Sequence, residues 1–265
     1  MERIKKTFER TRQQGRIALM PYLPVGYPDV ETTVALAPAL VAAGADLFEL
    51  GVPYSDPQAD GPTIQRATHR ALQNGVTLRI CLEVAARIRS SVDVPITLMG
   101  YYNPIARFGN AAFCQAAKAA GVDGLIVPDL PPEEADDLKR SAQGCQLDFV
   151  FLVAPTSTEE RLRIVTDASS GFVYCVSLAG VTGARSHLAM GLPEYLQRVR
   201  AFTSLPLAVG FGISRPEHVQ EVARYADGAI VASALVDRID RLPADEQVAG
   251  ATAFIGELAR ATARP

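Results

Sequence analysis

Cysteine is scarce in this sequence: four in 265 residues, at Cys81, Cys114, Cys145 and Cys175, with no CxxC pair. Scattered thiols in a chain of this length argue against a disulfide scaffold and read as reduced core residues, the usage of a cytoplasmic protein. Histidine is rarer still. His69, His187 and His218 lie far apart without metal-ligand spacing, so no metal site is expected. A basic excess is also missing, the formal net charge being −3, which removes the electrostatic footprint of a nucleic-acid binder. No stretch reaches the ~18 apolar residues of a membrane span, and the first ten residues are charged and helix-like, without the apolar core of a secretion signal. There is no low-complexity tract, and no Gly-x-Gly-x-x-Gly follows the first apolar run, which weakens a dinucleotide-binding reading.

What is present is a chain that is 48% hydrophobic and long enough for a sizeable core. Short apolar runs recur, and strands are expected at 17–25, 47–51, 96–100, 124–128, 148–154, 172–176, 205–210 and 228–232. Helices are expected between them: 30–44 with Asp29 as N-cap, 62–74, 78–90 and 110–120. Another should begin at Pro132, with Glu133 and Glu134 in its first turn, and one more at Glu159. A closing amphipathic helix spans about 244–261, and an N-terminal helix, roughly 2–13, precedes the first strand. Near-continuous apolar strands alternating with helices mean a parallel sheet covered on both faces. Eight such units in ~250 residues favour a closed (β/α)8 barrel, the TIM barrel, over an open sheet. The expected organisation is one domain, 1–265, with the first helix plugging the barrel's bottom.

In such a barrel the loops at the carboxyl ends of the strands carry function. The stretch 46–65 stands out there, because an apolar strand carries one acid, Glu49, and breaks at Gly51 into a loop with Asp56, Asp60 and three prolines. Period-2 alternation puts Leu47, Glu49 and Gly51 on one face and Phe48 and Leu50 on the other. An inward Glu49 would be desolvated and its pKa raised toward neutrality, which suits a group that gives and takes a proton. An outward Glu49 paired with a helix is the alternative. Asp56, in Ser-Asp-Pro, reads best as a loop-shaping residue. Asp60, just before Gly61-Pro62, fits either a helix N-cap or a carboxylate held over the mouth.

The last three loops form a second constellation: Leu178 to Ala184, Gly210 to Ser214 and Ala232 to Leu235. Glycines let backbone N–H groups converge on a phosphate, and a helix N-terminus adds its dipole. Ser233 is placed to open a short helix and donate its hydroxyl; plain tight turns are the competing explanation. The long loop Gly180 to Gly191, containing Thr182, has the character of a lid that closes and excludes water.

The residues themselves resemble a known family. Glu-Leu-Gly-Val-Pro-Tyr-Ser-Asp-Pro-Gln-Ala-Asp-Gly-Pro-Thr-Ile-Gln at 49–65 is similar to the signature of the tryptophan synthase alpha subunit. So are Tyr101-Tyr102-Asn103-Pro104, Val127-Pro128-Asp129-Leu130-Pro131, Gly180-Val181-Thr182-Gly183 and Gly210-Phe211-Gly212-Ile213-Ser214. The resemblance runs from about residue 17 to 236. It implies a lyase that cleaves indole-3-glycerol phosphate to indole and glyceraldehyde 3-phosphate, with Glu49 as acid/base and Asp60 as partner of the indole nitrogen. It places Gly183, Gly212, Ile213, Ala232 and Ser233 at the phosphate. Tyr22, Met99, Ile126, Leu152, Tyr174 and Phe211 fall on pocket positions, and Thr182 on the lid. It further implies a beta-subunit partner that carries pyridoxal phosphate, met by loops containing Pro53, Asp56, Asn103 and Pro104, in an alpha2-beta2 assembly. No cofactor is implied for this chain. Pro24, Tyr27 and Ala232 depart from the commoner pattern. A stand-alone indole-releasing lyase and an inactive regulatory barrel are the alternative functions.

Overall fold

The computed structural model describes residues 2–177, 191–210 and 212–265. Along them the chain forms α1 (Glu2–Gln13), β1 (Ala18–Pro24), α2 (Val30–Ala42), β2 (Phe48–Gly51), α3 (Pro62–Gln73), α4 (Leu78–Ser91) and β3 (Ile96–Met99). There follow α5 (Tyr102–Phe108), α6 (Asn110–Ala119), β4 (Gly124–Ile126), α7 (Asp136–Gly144), β5 (Asp148–Val150), β6 (Leu152–Val153) and α8 (Glu159–Ala168). The remainder is β7 (Val173–Val176), α9 (Leu192–Arg200), β8 (Leu207–Gly210), α10 (Pro216–Ala223), β9 (Gly228–Val231), α11 (Ser233–Asp240) and α12 (Gln247–Ala259).

The strand pairings are parallel, in the order β5-β4-β3-β2-β1-β9-β8-β7-β6. β5 and β6 are consecutive stretches of one chain segment, parted only by Phe151. The first pairs with β4 and the second with β7, so the two ends of the sheet meet and the barrel closes. The expected eight strands therefore become nine among the described residues, because the stagger of a closed barrel gives the fifth strand different neighbours along its length.

Strand alternation sorts the apolar residues into two layers. Phe48 and Leu50 join the outer core beneath the helices, whereas Leu47 belongs to the interior with Met20, Ile126, Tyr174 and Ile230. Ile4 and Phe8 of α1 enter that interior from the amino-terminal end of the strands, and the Phe8 ring centroid lies 5.8 Å from that of Phe172. The N-terminal helix is the expected plug.

Three strands are clasped at their starts by an aspartate. Asp46, Asp123 and Asp227 each donate a backbone N–H to the carbonyl of Leu19, Ile96 and Leu207 respectively, at 2.8 Å in every case. Their carboxylates accept the N–H of those same residues at 3.1, 2.9 and 3.0 Å. Arginines neutralise the charge: Arg16 grips Asp46 with two nitrogens at 2.6 and 2.8 Å, Arg3 and Arg89 hold Asp123, and Arg200 and Arg264 hold Asp227.

Two local expectations change. The helix expected from Pro132 begins at Asp136, because 131–135 forms i→i+3 turns, Glu134 to Pro131 and Ala135 to Pro132, before regular bonding starts. α5 was not anticipated from the pattern; Pro104 lies in its first turn, where a missing N–H costs nothing.

Candidate active site

β2 brings Glu49 to the carboxyl end of the barrel with its side chain inward, opposite Tyr22 of β1 and Thr97 of β3 in the pairing register. The inward reading holds and the helix-facing alternative does not. Glu49 is 1% exposed, and among the described residues neither carboxylate oxygen has a hydrogen-bond partner. Burial, with the nearby Asp60 charge adding to it, pushes its pKa up to about 8. A buried acid left unpaired is costly, and it stays neutral unless something arrives to take its proton.

Asp60 sits half-buried in the loop between β2 and α3. The helix N-cap is Gly61, with no side-chain cap bond, so the carboxylate is not committed to the helix. Burial raises the Asp60 pKa to about 6, and the Tyr101 hydroxyl opposes that rise. The same hydroxyl accepts the Ala59 N–H at 2.9 Å, and the Tyr101 ring stacks on Tyr54 at 5.0 Å between centroids. Tyr101 thus fixes the loop at the residue next to Asp60. The motif containing Tyr101 was visible in the sequence, yet its contact with Asp60 was not, since 42 positions separate Ala59 from it.

The pocket positions converge. Ile126, Tyr174, Met99 and Leu152 share one interior cluster, and Met99 also packs against the cluster containing Tyr22 and Ile64. Two strand-end glycines make room for phenols: a Cβ on Gly51 would lie 2.0 Å from the Tyr22 hydroxyl, and one on Gly210 2.3 Å from that of Tyr174. Both phenols are raised above their usual pKa, first by burial and then by the Asp60 and Glu49 charges. They are neutral hydroxyls flanking an acid.

Across the mouth, α11 begins at Ser233 after Ala232, and its first turn has no side-chain cap. Gly212 has φ +82° and is exposed, while Ile213 is buried at 3% exposure. His218 of α10 takes the Ser214 N–H on Nδ1 at 3.3 Å, steadying the loop after β8. Thr63 and Arg66 of α3 bond Asp237 of α11 at 3.2 and 3.3 Å, tying the acid-bearing side to the α11 side. Gly183, Thr182 and Phe211 lie outside the described residues. Among the described residues no group of three His, Cys, Asp or Glu side chains is arranged to hold a metal ion, and no helix is long and apolar enough to cross a membrane.

Of the loop residues, Asp56 is exposed and accepts the Ser55 hydroxyl at 2.6 Å, while Asn103 is exposed and donates to the Tyr54 hydroxyl at 3.3 Å. Pro104 is partly exposed beside it, whereas Pro53 is buried at the foot of its loop.

The family model for the tryptophan synthase alpha chain matches residues 8–262. The tryptophan synthase alpha chain of Chloroflexus aurantiacus is 57% identical over 266 residues, with 100% of each chain covered. That of Roseiflexus castenholzii is 56% identical over 256 residues, covering 96% of this chain and 98% of the relative. Among solved structures, a chain of Mycobacterium tuberculosis tryptophan synthase matches with a TM-score of 0.91 at 44% identity, covering 99% of both chains.

Proposed function

The chain belongs to the tryptophan synthase alpha chain family, and from that premise we propose how its residues carry out the reaction. The alpha chain is a lyase of tryptophan biosynthesis that cleaves indole-3-glycerol phosphate to indole and glyceraldehyde 3-phosphate, and it works with a beta subunit. Glu49, held protonated near neutrality, gives its proton to indole C3. The ring nitrogen becomes positive, and the Asp60 carboxylate, ionised first of the two, stabilises that charge. Glu49, now a carboxylate, takes the proton from the hydroxyl on the side-chain carbon joined to C3. The C3–carbon bond breaks, its electrons return to the ring, and the aldehyde and indole separate with Glu49 again protonated.

Tyr22, Met99, Ile126, Leu152 and Tyr174, with Phe211, give the indole an apolar enclosure. The substrate phosphate lies against the N–H groups of Gly212, Ile213 and the α11 start at Ala232 and Ser233, with Gly183 beside it and Thr182 on the closing lid. Free N–H groups at a helix N-terminus favour an anion. The beta partner supplies pyridoxal phosphate, which this family lacks on its alpha chain, and meets the exposed loops at Asp56, Asn103 and Pro104 in an alpha2-beta2 assembly; Pro53, being buried, shapes its loop from beneath. The whole chain, 1–265, acts as one cytoplasmic barrel domain.

One observation carries this reading: Glu49 is buried and unpaired among the described residues, with its pKa pushed up to about 8, beside a second acid at about 6. Indole release should be measured for the parent and for Glu49→Gln, each with and without a beta subunit. Loss of a positioned proton donor costs on the order of 10²–10⁴ in rate per transfer, so the variant should lose at least that much while remaining folded. Residual activity within tenfold of the parent would exclude Glu49 as acid/base. If the beta subunit changes neither rate nor substrate affinity, the complex does not form as proposed.

A further inference from the structure

Tyr22 occupies an unusual place for a pocket-lining residue. It projects inward from β1 level with Glu49, is 7% exposed, and its hydroxyl reaches the space over the Gly51 backbone, where a Cβ would stand 2.0 Å away. Among the described residues nothing hydrogen-bonds that hydroxyl, although it feels both the Asp60 and Glu49 charges. An apolar ring would fill the same volume without bringing a polar group into it. The Tyr22 ring packs with Ile64 of α3 and Val236 of α11, and Ala232 borders the same cluster. The side chain therefore shares one cluster with α3, which follows Asp60, and with α11, while its hydroxyl is close enough to feel the Asp60 charge.

On the reading given above, indole-3-glycerol phosphate spans that same interval, ring toward Asp60 and phosphate toward α11. Between the two ends lies a three-carbon chain with two hydroxyl groups. We propose that the Tyr22 hydroxyl donates a hydrogen bond to the glycerol chain, making Tyr22 a specificity residue that selects a hydroxylated linker over a plain alkyl one. A neutral phenol suits the task because it remains a donor, whereas the ionised Asp60 only accepts and Glu49 gives its proton to indole C3. A site whose polar group is left unpaired by the wrong ligand discriminates against it.

The test compares Tyr22→Phe with the parent using two ligands: the substrate, and the analogue in which an unsubstituted propyl chain joins indole to phosphate. Removing one neutral hydrogen bond should lower kcat/KM for the substrate about fivefold to tenfold. The inhibition constant of the analogue should stay the same or fall, since ring packing, indole enclosure and phosphate contacts are retained and the hydroxyl that the analogue leaves unpaired is gone. A loss of equal size for both ligands would assign Tyr22 a packing role only. No change for either would show that the hydroxyl touches nothing in the bound state. Both results overturn the inference but leave the cleavage reaction standing, whereas a parent that releases no indole from the substrate, alone or with a beta subunit, sinks the functional reading itself.

Discussion

Glu49 and Asp60 differ in depth, and that difference sets the order in which they lose protons. The deeper acid titrates at about 8 and the shallower at about 6, so near neutrality the prevailing form pairs a protonated Glu49 with an ionised Asp60. That is the form the first proton transfer needs. The kcat/KM profile should rise with pH through about 6 and fall through about 8, the two limbs belonging to the coupled pair. Asp60→Asn should remove the acid limb and lower the plateau about ten- to a hundredfold, the worth of a hydrogen bond to a charged group. A variant that keeps the acid limb would move its assignment to another group. Stability follows the same protons. The fold holds the Glu49 proton more tightly than the unfolded chain does, so Glu49 favours folding in acid and opposes it progressively as pH climbs from about 4.5 to about 8.

At the scale of the element, the starts of β2, β4 and β9 share one device. An aspartate ahead of the strand grips the neighbouring strand twice, by its own N–H and through its carboxylate, and arginines offset its charge. Gly44-Ala45-Asp46 and Gly121-Val122-Asp123 repeat visibly in the sequence, but what they hold depends on strand order, which no local pattern reveals. Asp227 is ion-paired to three arginines, Arg12, Arg200 and Arg264. Burial would raise its pKa, yet the Leu207 N–H and Arg200 outweigh that and leave it lowered. Asp227→Ala should reduce the unfolding free energy by about 3 kcal/mol at neutral pH, the lower end for a broken buried pair because Arg200 and Arg264 reach solvent. With a folded pKa below the ordinary 3.8, the native contribution is intact above about pH 4 and fades in stronger acid, where parent and variant should converge. Denaturant melts at pH 7 and pH 3 check it; a difference that does not shrink in acid would mean the carboxylate charge is not its source.

Across the whole molecule, chemistry and stability sit at opposite ends of one closed sheet. The acids, phenols and α11 start lie at the carboxyl ends, and the α1 plug and aspartate clasps at the amino ends. Phe8→Ala should therefore cost about 3–5 kcal/mol of stability, as for other buried aromatic truncations. It should leave kcat/KM of the folded protein within about twofold. Calorimetry beside steady-state kinetics would show it, and a large kinetic defect in fully folded protein would mean the two ends are coupled.

The sequence by itself determined the class of fold, because apolar runs of strand length at regular intervals have few other ways to be buried. It also marked Glu49, since period 2 within one strand leaves only two faces to choose between. The helix start at Asp136, the presence of α5 and the division of the fifth strand were not legible, for each depends on turns or neighbours beyond the local pattern. Only the tertiary structure decided that Glu49 is inward and unpaired among the described residues, that Asp60 answers to Tyr101 and not to a helix cap, and that the Tyr22 hydroxyl rests over Gly51. Desolvation, the largest cause of both raised carboxyl pKa values, is a property of what surrounds a group in space. Closing the barrel brings together strands distant in the chain, and with them the environment that turns two ordinary acids into a matched pair.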